Sequence, residues 1–296
     1  MKDIVIKIKK TLSRISPLLT THILYLIRFK KILNLVNPKT FNEKILYLKF
    51  NDYKNNTLVS KCADKYRVRE YITEKGCSNI LNELIFACNT PEEIPIEKLP
   101  QNGFVIKCNH GAGYNLIVLN KSGFNISQSL RTIQNWLDDE YWQSMAEIHY
   151  RGIEKKIIGE KLLINKDREL PEDYKVYCFN GEPKFVMICS ERDTGKPKYY
   201  FVDKEFNILP FGYAYQFNPE PNINKPDGFD DLFYYSKKLC GSFPFVRVDF
   251  YLVDGKVYFG ELTFTPAAGL DTRISNKLNP NGDLIMGAYL KIKDKK

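Results

Sequence analysis

Several features typical of secreted, zinc-binding and redox proteins are missing from this 296-residue sequence. Its seven cysteines are scattered singly, their number is odd, and none forms a C-x-x-C pair. Three histidines are too few to suggest a histidine-rich metal site. The pattern excludes a disulfide framework and a structural zinc site, and it predicts free thiols in a reducing cytoplasm.

Long hydrophobic runs are also missing near the N-terminus. The longest uncharged stretch there, 15–27, contains Ser16, Pro17, Thr20 and Thr21 and is too short and polar to span a bilayer. Residues 1–10 alternate charged and apolar side chains, unlike the apolar centre of a secretory signal. We therefore expect a cytoplasmic protein, soluble or peripheral at the inner face of the cell membrane.

The positive charge is confined to one end of the chain. The formal net charge is +9, and residues 1–50 hold all of this excess, because the acidic and basic residues of 51–296 balance. The segment 2–36 predicts two basic amphipathic helices broken at Pro17. Two interpretations stay open: a helical cap packed on the body, or peripheral contact of residues 1–36 with an anionic membrane. Nucleic acid is not expected as a partner, since no recognisable binding module accompanies the basic residues.

The order of predicted elements indicates an α+β fold. Thr40 and Glu43 form a capping-box signature at a helix start, and a second helix is predicted over 65–74. Two short strands are predicted within 80–88, and further strands dominate after residue 100, where one is expected over 156–164. Asp254-Gly255 predicts the turn of a late hairpin. Helices before strands favour an α+β architecture with a boundary near residue 100.

The first chemically informative motif is F-V-I-K-C-N-H-G-A-G-Y-N at 104–115. Lys107 ends an apolar strand, where its ammonium group can hold phosphate oxygens. Gly111 and Gly113 flank Ala112 in a small loop whose backbone N–H groups can approach a triphosphate without obstruction by a Cβ atom. A purely structural turn between two strands is the alternative.

The second motif is I-I-G-E-K-L-L-I at 157–164, in which Glu160 and Lys161 interrupt an apolar strand. The strand's backbone edge can pair with an adenine ring, and Glu160 can accept hydrogen bonds from ribose hydroxyls. A solvated charge pair on an edge strand explains the same pattern.

The third motif is the hairpin at 245–266, which places Asp249 on one strand and Glu261 on the next. Counting outward from the turn brings the two acids level or one pair apart, about 5 Å across the ladder. Two such carboxylates repel, and a divalent cation relieves that repulsion; Mg²⁺ suits carboxylate and phosphate oxygens. An ordinary ion pair with Arg247 or Lys256 is the alternative.

Together these motifs resemble the ATP-grasp superfamily. The run 261–266, E-L-T-F-T-P, is similar to its metal signature, and 173–176, D-Y-K-V, is similar to a strand start whose basic residue touches the transferred phosphate. The runs 37–44 and 64–71, together with R-V-D-F-Y at 247–251, look like the TupA-like ATP-grasp family, linked to teichuronopeptide, capsule and O-antigen synthesis.

The resemblance implies an ATP-grasp fold in which two α+β subdomains enclose the nucleotide behind an N-terminal helical segment. It implies four regions: a basic helical segment, the N-terminal part of the fold, a subdomain with the glycine loop, and a C-terminal subdomain with the metal site. Their predicted bounds are 1–60, 61–100, 101–160 and 161–296.

The activity implied is ATP-dependent amide formation between a sugar-linked carboxylate and an amino acid or amine. ATP would contact Lys107, Gly111, Ala112, Gly113, Glu160, Lys161, Leu163 and Lys175. Mg²⁺ would bind Asp249, Glu261 and Thr263, and Lys175, Arg192 and Arg247 would act in catalysis.

Three points remain open in the sequence. Thr263 stands where many superfamily members have Asn, so a second Mg²⁺ is not assured. Lys65 and Arg69 are four residues apart, and we expect them on a solvated helix face; contact with phosphate or an acidic acceptor is the alternative. A metal-independent glycosyltransferase or a non-catalytic binding module stays an alternative; no two aspartates form the D-x-D motif of metal-dependent glycosyltransferases.

Overall fold

The computed structural model describes residues 2–167, 169–190 and 198–292. The chain builds two antiparallel sheets, and helices pack around both. The helices are α1 Lys2–Ile15, α2 Pro17–Phe29, α3 Phe41–Asn51, α4 Thr57–Ala63, α5 Val68–Glu74, α6 Ile126–Asp138, α7 Trp142–Met145, α8 Phe229–Leu239 and α9 Gly282–Tyr289. The strands are β1 Leu84–Cys88, β2 Phe104–Cys108, β3 Asn115–Val118, β4 Ile157–Lys161, β5 Asp173–Phe179, β6 Glu182–Ser190, β7 Lys198–Val202, β8 Ile208–Leu209, β9 Phe245–Val253 and β10 Lys256–Thr263.

The first sheet has the order β1-β4-β2-β3, and the second has the order β10-β9-β5-β6-β7-β8. The α+β prediction is confirmed, and the predicted turn at Asp254-Gly255 joins β9 to β10. Two of the strand predictions were wrong. A 3₁₀ turn at Ser78–Ile80 and the single strand β1 replace the two short strands expected within 80–88, and β4 ends at Lys161 rather than at Ile164.

Each sheet has its own apolar core. Alternate residues of β5 and β9, such as Val176 and Val248, face the larger core, on which α8 packs. Phe104 and Ile106 of β2 belong to a smaller core beside α6. Because strand side chains alternate between faces, Lys175 and Asp249, the neighbours of Val176 and Val248, project from the opposite face of the second sheet.

The N-terminal helices form a cap on the body. Pro17 is the first residue of α2, so the predicted break falls where proline is tolerated, at a helix start. Tyr25 and Leu33 are buried against Leu46 of α3 and Leu270, while the outer face of α1 and α2 stays exposed. Among the helices that the structure describes, none has the length and apolar content needed to cross a membrane.

The start of α3 has the capping box that its sequence predicts. The Thr40 hydroxyl accepts a hydrogen bond from the Glu43 backbone N–H at 3.2 Å, and the Glu43 carboxylate accepts one from the Thr40 N–H at 3.1 Å. Helix α3 packs on α9, and its residue Phe41 lies in the larger core, so this cap supports both.

We expect Thr40→Ala to lower the free energy of unfolding by about 1 kcal/mol, because one amide at the helix start loses its partner. Urea unfolding followed by circular dichroism measures the change. Thr57→Ala is the matched control, since exposed Thr57 lies at a helix start capped by Asn56. Equal losses in the two variants would contradict the assignment.

Candidate active site

A row of charged and polar side chains lies across one face of the second sheet. In this sheet Lys175 of β5 is paired with Asp249 of β9, which is paired in turn with Glu261 of β10. Alternation along each strand places the next polar residues on the same face. The complete row consists of Asp173, Lys175, Arg247, Asp249, Glu261 and Thr263.

A β-bulge sets the register of this row. Pairing outward from the turn runs without interruption as far as Phe250 and Phe259, and then one residue, Gly260, is left unpaired. The bulge brings Glu261 opposite Asp249 instead of one position beyond it. The two acids are therefore direct neighbours, the closer of the two arrangements expected from the sequence.

Arg247 lies between the two acids. Its Nε and Nη2 atoms donate to the Asp249 carboxylate at 2.7 and 2.6 Å, and Nη2 is 3.9 Å from Glu261 Oε1. Thr263 Oγ1 accepts from Arg247 Nη2 at 3.2 Å and donates to Glu261 Oε1 at 3.1 Å. The predicted alternative of an ion pair with Arg247 is thus present, whereas Lys256 instead stacks over the ring of Tyr258.

Lys175 completes the row from β5. Its ammonium group donates to Asp249 Oδ2 at 2.9 Å and also to the carboxylate of Asp173. Burial alone would lower the pKa of Lys175, but the attraction of Asp249 and Asp173 outweighs burial and raises the pKa above its usual value. Lys175 therefore stays charged at neutral pH.

Lys65 connects this row to the glycine loop of the first sheet. Its Nζ atom donates to Glu261 Oε2 at 2.9 Å and to the backbone carbonyl of Gly111 at 2.8 Å. Burial alone would raise the pKa of Glu261, but Lys65, Arg247 and Lys175 outweigh it and hold the pKa far below its usual range. The three cations and the carboxylates of Asp173, Asp249 and Glu261 form a cluster whose formal charges balance.

Local hydrogen bonds fix Lys65 in this place. The buried Asp64 carboxylate accepts from the backbone N–H of Tyr66 at 2.8 Å and from the Asn109 amide at 2.8 Å. Asn109 precedes the glycine loop, and its backbone carbonyl accepts from the Lys65 N–H at 3.2 Å. These bonds hold Lys65 before α5, so it is not on the helix that the sequence predicted over 65–74.

The glycine loop itself is closely packed at one end and open at the other. A Cβ atom on Gly111 would lie 2.4 Å from the Tyr141 ring, so a larger residue there would displace the loop. Gly113 has a φ of +82°, a backbone conformation that favours glycine, and its surroundings are open. Ala112 between them is exposed. The exposed tip of the loop leaves its backbone accessible to a ligand.

On the first sheet, Glu160 is the centre of a second charge cluster. Lys107 Nζ donates to Glu160 Oε2 at 2.6 Å, and Arg69 Nη1 donates to Glu160 Oε1 at 3.3 Å. Arg69 also donates to the backbone carbonyl of Asn82 at 2.8 Å. Glu160 is nearly buried, whereas the neighbouring Lys161 is largely exposed and lies 3.9 Å from Glu83.

A cleft between the two sheets adjoins this second cluster. It encloses about 110 Å³, and it is lined by Lys107 and Glu160 of the first sheet and by Leu163, which follows β4. Tyr251 and Phe259 of the second sheet close its other side. An apolar slot with a few charged groups at its edge is the usual form of a small-molecule site.

The structure corrects one expectation and leaves another outside its range. Lys65 and Arg69 do not lie on a solvated face, because each contacts an acid of the predicted site, Glu261 and Glu160 respectively. The prediction was wrong because Lys65 precedes α5. Asp64, next to Lys65 and buried in the structure, is the residue that could have indicated a turn here. Arg192 lies outside the described residues.

The oxygen donors of the row fit a magnesium ion that also binds phosphate. Within the described part of the chain, no group of three or more His, Cys, Asp or Glu side chains could hold a metal ion. Asp249 and Glu261 are instead two neighbouring carboxylates with the Thr263 hydroxyl beside them. Mg²⁺ commonly takes one or two carboxylates and completes its six ligands with water and phosphate oxygens.

Lys65→Met should raise the pKa of Glu261 towards its ordinary value, because the closest cation is removed. The depressed pKa of Glu261 stabilises the wild-type fold above about pH 4, and this contribution is lost as the pH falls through the folded-state pKa. The free energy of unfolding of Lys65→Met should therefore depend less on pH in the acidic range. Nuclear magnetic resonance titration of ¹³C-labelled glutamate carboxyls measures the pKa directly.

Lys61→Met is the control, since Lys61 pairs with Glu70 and Glu74, acids outside the candidate site. It should leave the Glu261 titration unchanged. An unaltered Glu261 pKa in Lys65→Met would show that the contact between them does not control the carboxylate.

The solved structures that match this chain include ATP-grasp-type ligases. A D-alanine–D-alanine ligase from Helicobacter pylori has a TM-score of 0.50 at 14% identity over 86% of this chain and 70% of that one, which shows a shared fold. An L-amino acid ligase from Bacillus licheniformis matches at a TM-score of 0.49 and 11% identity over 86% of this chain and 56% of that one. A D-alanine–D-alanine ligase from Bacillus anthracis matches at 0.42 and 16% identity over 70% of this chain.

The chain spans about three fifths of the length of the first structures it matches, 59% in the case of the Bacillus anthracis ligase. A search of the curated proteins finds no match to this chain. The family model described as TupA-like ATPgrasp matches residues 43–291, and this range holds both sheets and every predicted site residue. Because the match covers well over half of the sequence, the chain belongs to the TupA-like ATP-grasp family.

Proposed function

We propose that this protein is an ADP-forming carboxylate–amine ligase. The observation that supports this most is the position of Lys65, which joins the glycine loop of one sheet to the acid pair of the other. The loop that we assign to phosphate and an acid that we assign to the metal ion are both in contact with this one side chain. A nucleotide with its base in the cleft and its phosphates towards Lys65 would contact both sheets.

The residues of the first sheet are assigned to ATP. Lys107 would hold phosphate oxygens, and backbone N–H groups of 111–113 would close over them. Glu160 would accept hydrogen bonds from the ribose, with Lys161 at the open edge of the cleft and Leu163 against the adenine. Arg69 and Lys107 donate hydrogen bonds to the Glu160 carboxylate and orient it for that role.

Asp249, Glu261 and Thr263 would hold Mg²⁺, which when bound neutralises phosphate charge during transfer. Arg247 already lies between the two acids and makes the contacts a cation would make there. With Mg²⁺ held by these acids, Arg247 would instead contact the transferred phosphoryl group. We therefore propose that Arg247 stabilises the negative charge that develops on the transferred group, in addition to its contacts within the fold.

In the proposed reaction an oxygen of the substrate carboxylate attacks the γ-phosphorus of ATP, and ADP leaves. The substrate amine then attacks the carbonyl carbon of the acyl phosphate, phosphate leaves, and the amine nitrogen loses a proton. Lys175, Arg192 and Arg247 are assigned to the negative charge on the phosphoryl and carbonyl oxygens. The Lys175 ammonium is suited to this role because its raised pKa keeps it protonated.

We further propose that the carboxylate belongs to a uronic acid of a surface polysaccharide, in a capsule, O-antigen or teichuronopeptide, and that the amine is an amino acid or related compound. The support is family membership. Amide formation on such a polymer would use the cofactors assigned above, ATP and Mg²⁺.

Glu261→Gln should lower substrate-dependent ADP release roughly 1000-fold, because metal-assisted charge stabilisation contributes several kcal/mol. A coupled ADP assay with uronic acid and amino acid acceptors measures the rate. Glu97→Gln, at an exposed position outside the site, is the control and should keep wild-type turnover. Wild-type rates in Glu261→Gln would refute the assignment, and release of UDP from a UDP-sugar would favour a glycosyltransferase.

We also propose that residues 1–36 contact an anionic membrane peripherally. Among the residues that the structure describes, 25 large hydrophobic side chains are exposed, and twelve of them lie between Ile4 and Val36. Exposed basic residues, among them Arg28 and Lys31, lie among them. Apolar side chains that enter the headgroup region beside cations are the pattern of an interfacial helix.

Arg28→Gln with Lys31→Gln should weaken binding to phosphatidylglycerol vesicles about 30-fold, since each basic residue near such a surface contributes about 1 kcal/mol. Vesicle sedimentation measures binding, and phosphatidylcholine vesicles should bind neither protein appreciably. Lys204→Gln with Lys277→Gln, at exposed positions elsewhere, is the matched control. Equal weakening by both pairs would contradict a specific N-terminal contact.

A further inference from the structure

A large cleft lies where the junction of α1 and α2 faces α3. It encloses about 1350 Å³, more than the roughly 300–1,000 Å³ of an ordinary small-molecule pocket. Ile15 and Leu18 line it from the helix junction, Tyr47 and Phe50 line it from α3, and Val36 lines it from the segment between. None of the site residues discussed above lines this cleft.

The cleft is lined by both apolar and polar residues, and some of its apolar side chains are left in water. Val36 is 97% exposed and Ile15 is 76% exposed, although both line the cleft. Exposed apolar surface gathered in a concave region is a feature of binding sites rather than of ordinary protein surface. An occupant with an apolar chain would remove these side chains from water.

The charge of the lining is of one sign. Lys44, Lys54 and Arg151 line the cleft, and none of the described residues that line it is acidic. Lys44 donates to the backbone carbonyls of Gly287 and Leu290, at 2.8 and 2.7 Å, so it holds α9 rather than a ligand. Lys54 and Arg151 are exposed, and the Arg151 guanidinium is supported over the Trp142 ring at 5.3 Å.

We propose that this cleft binds one anionic lipid of the membrane surface. The lipid chain would lie against Ile15, Leu18 and Val36, and its phosphate would contact Lys54 and Arg151. Three features of the cleft favour an amphiphile with an anionic head: its large volume, its exposed apolar side chains and its positive charge. Such a site rests on the proposed membrane contact and gives it one specific lipid-binding position instead of general attraction to the surface. It does not depend on the ligase activity.

The test uses the full-length protein and dodecyl phosphate below its critical micelle concentration, so that no bilayer is needed. Isothermal titration calorimetry should show saturable binding of one molecule per chain. Octyl phosphate should bind on the order of 100-fold more weakly, because four buried CH₂ groups are lost. Inorganic phosphate and dodecyl maltoside should bind at least tenfold more weakly than dodecyl phosphate, since each lacks one of the two recognised parts.

Matched variants distinguish the site from general adhesion. Lys54→Glu should weaken dodecyl phosphate at least tenfold, and Val36→Asp should weaken it similarly, whereas Lys277→Glu and Leu278→Asp, exposed positions outside the cleft, should not. Unchanged binding in both cleft variants would overturn the proposal. So would equal binding of inorganic phosphate, which would show an anion site without a lipid chain.

ATP turnover measured on the same preparations separates this proposal from the ligase assignment. Lys54→Glu should keep wild-type ADP release, because Lys54 contacts none of the site residues. Absence of turnover in the wild-type protein would contradict the ligase assignment while leaving lipid binding intact. Absence of dodecyl phosphate binding in a protein with normal turnover would contradict the lipid site alone.

Discussion

Three carboxylates and three cations meet at one face of a six-stranded sheet, and their mutual attraction is the constraint on which the site depends. Asp249, buried beneath Lys175 and Arg247, would be costly as an isolated charge. Glu261 stays ionised because Lys65 and Arg247 outweigh the effect of its burial. Because the charges balance, a triphosphate and a metal ion bound here as proposed would have to replace some of these ion pairs. We interpret the cluster as a site prepared for exchange of its ionic partners.

Lys65 extends this constraint from one sheet to the other. Since its ammonium group contacts both Gly111 and Glu261, the position of the glycine loop and the ionisation of Glu261 are linked through one side chain. Asp64 and Asn109 hold the backbone on both sides of that link. A nucleotide phosphate that attracted Lys65 would therefore release the loop and the acid together. This coupling explains why a lysine outside either sheet belongs to the proposed mechanism.

Much of this arrangement follows from local sequence. The capping box at Thr40, the Asp254-Gly255 turn and the alternation along β5 and β9 are set by neighbouring residues, and the structure has them. The register at Glu261 does not follow from local sequence. An uninterrupted ladder would place Gly260 opposite Asp249, and only the bulge brings Glu261 to that position. The location of Lys65 depends on a hydrogen bond between Asp64 and Asn109, which are far apart in the sequence. Contacts of that kind are fixed by tertiary packing, which periodicity does not reveal.

We propose above that Asp249 and Glu261 bind a metal ion, and that this ion also binds the nucleotide phosphates at the loop held by Lys65. A crystal structure with Mg²⁺ and a non-hydrolysable ATP analogue tests it most directly. The account predicts a metal ion about 2.0–2.1 Å from oxygens of both carboxylates, with phosphate oxygens completing its ligands and Lys107 beside them. Nucleotide bound in the cleft while Arg247 still separates two metal-free acids, or nucleotide bound elsewhere, would contradict it.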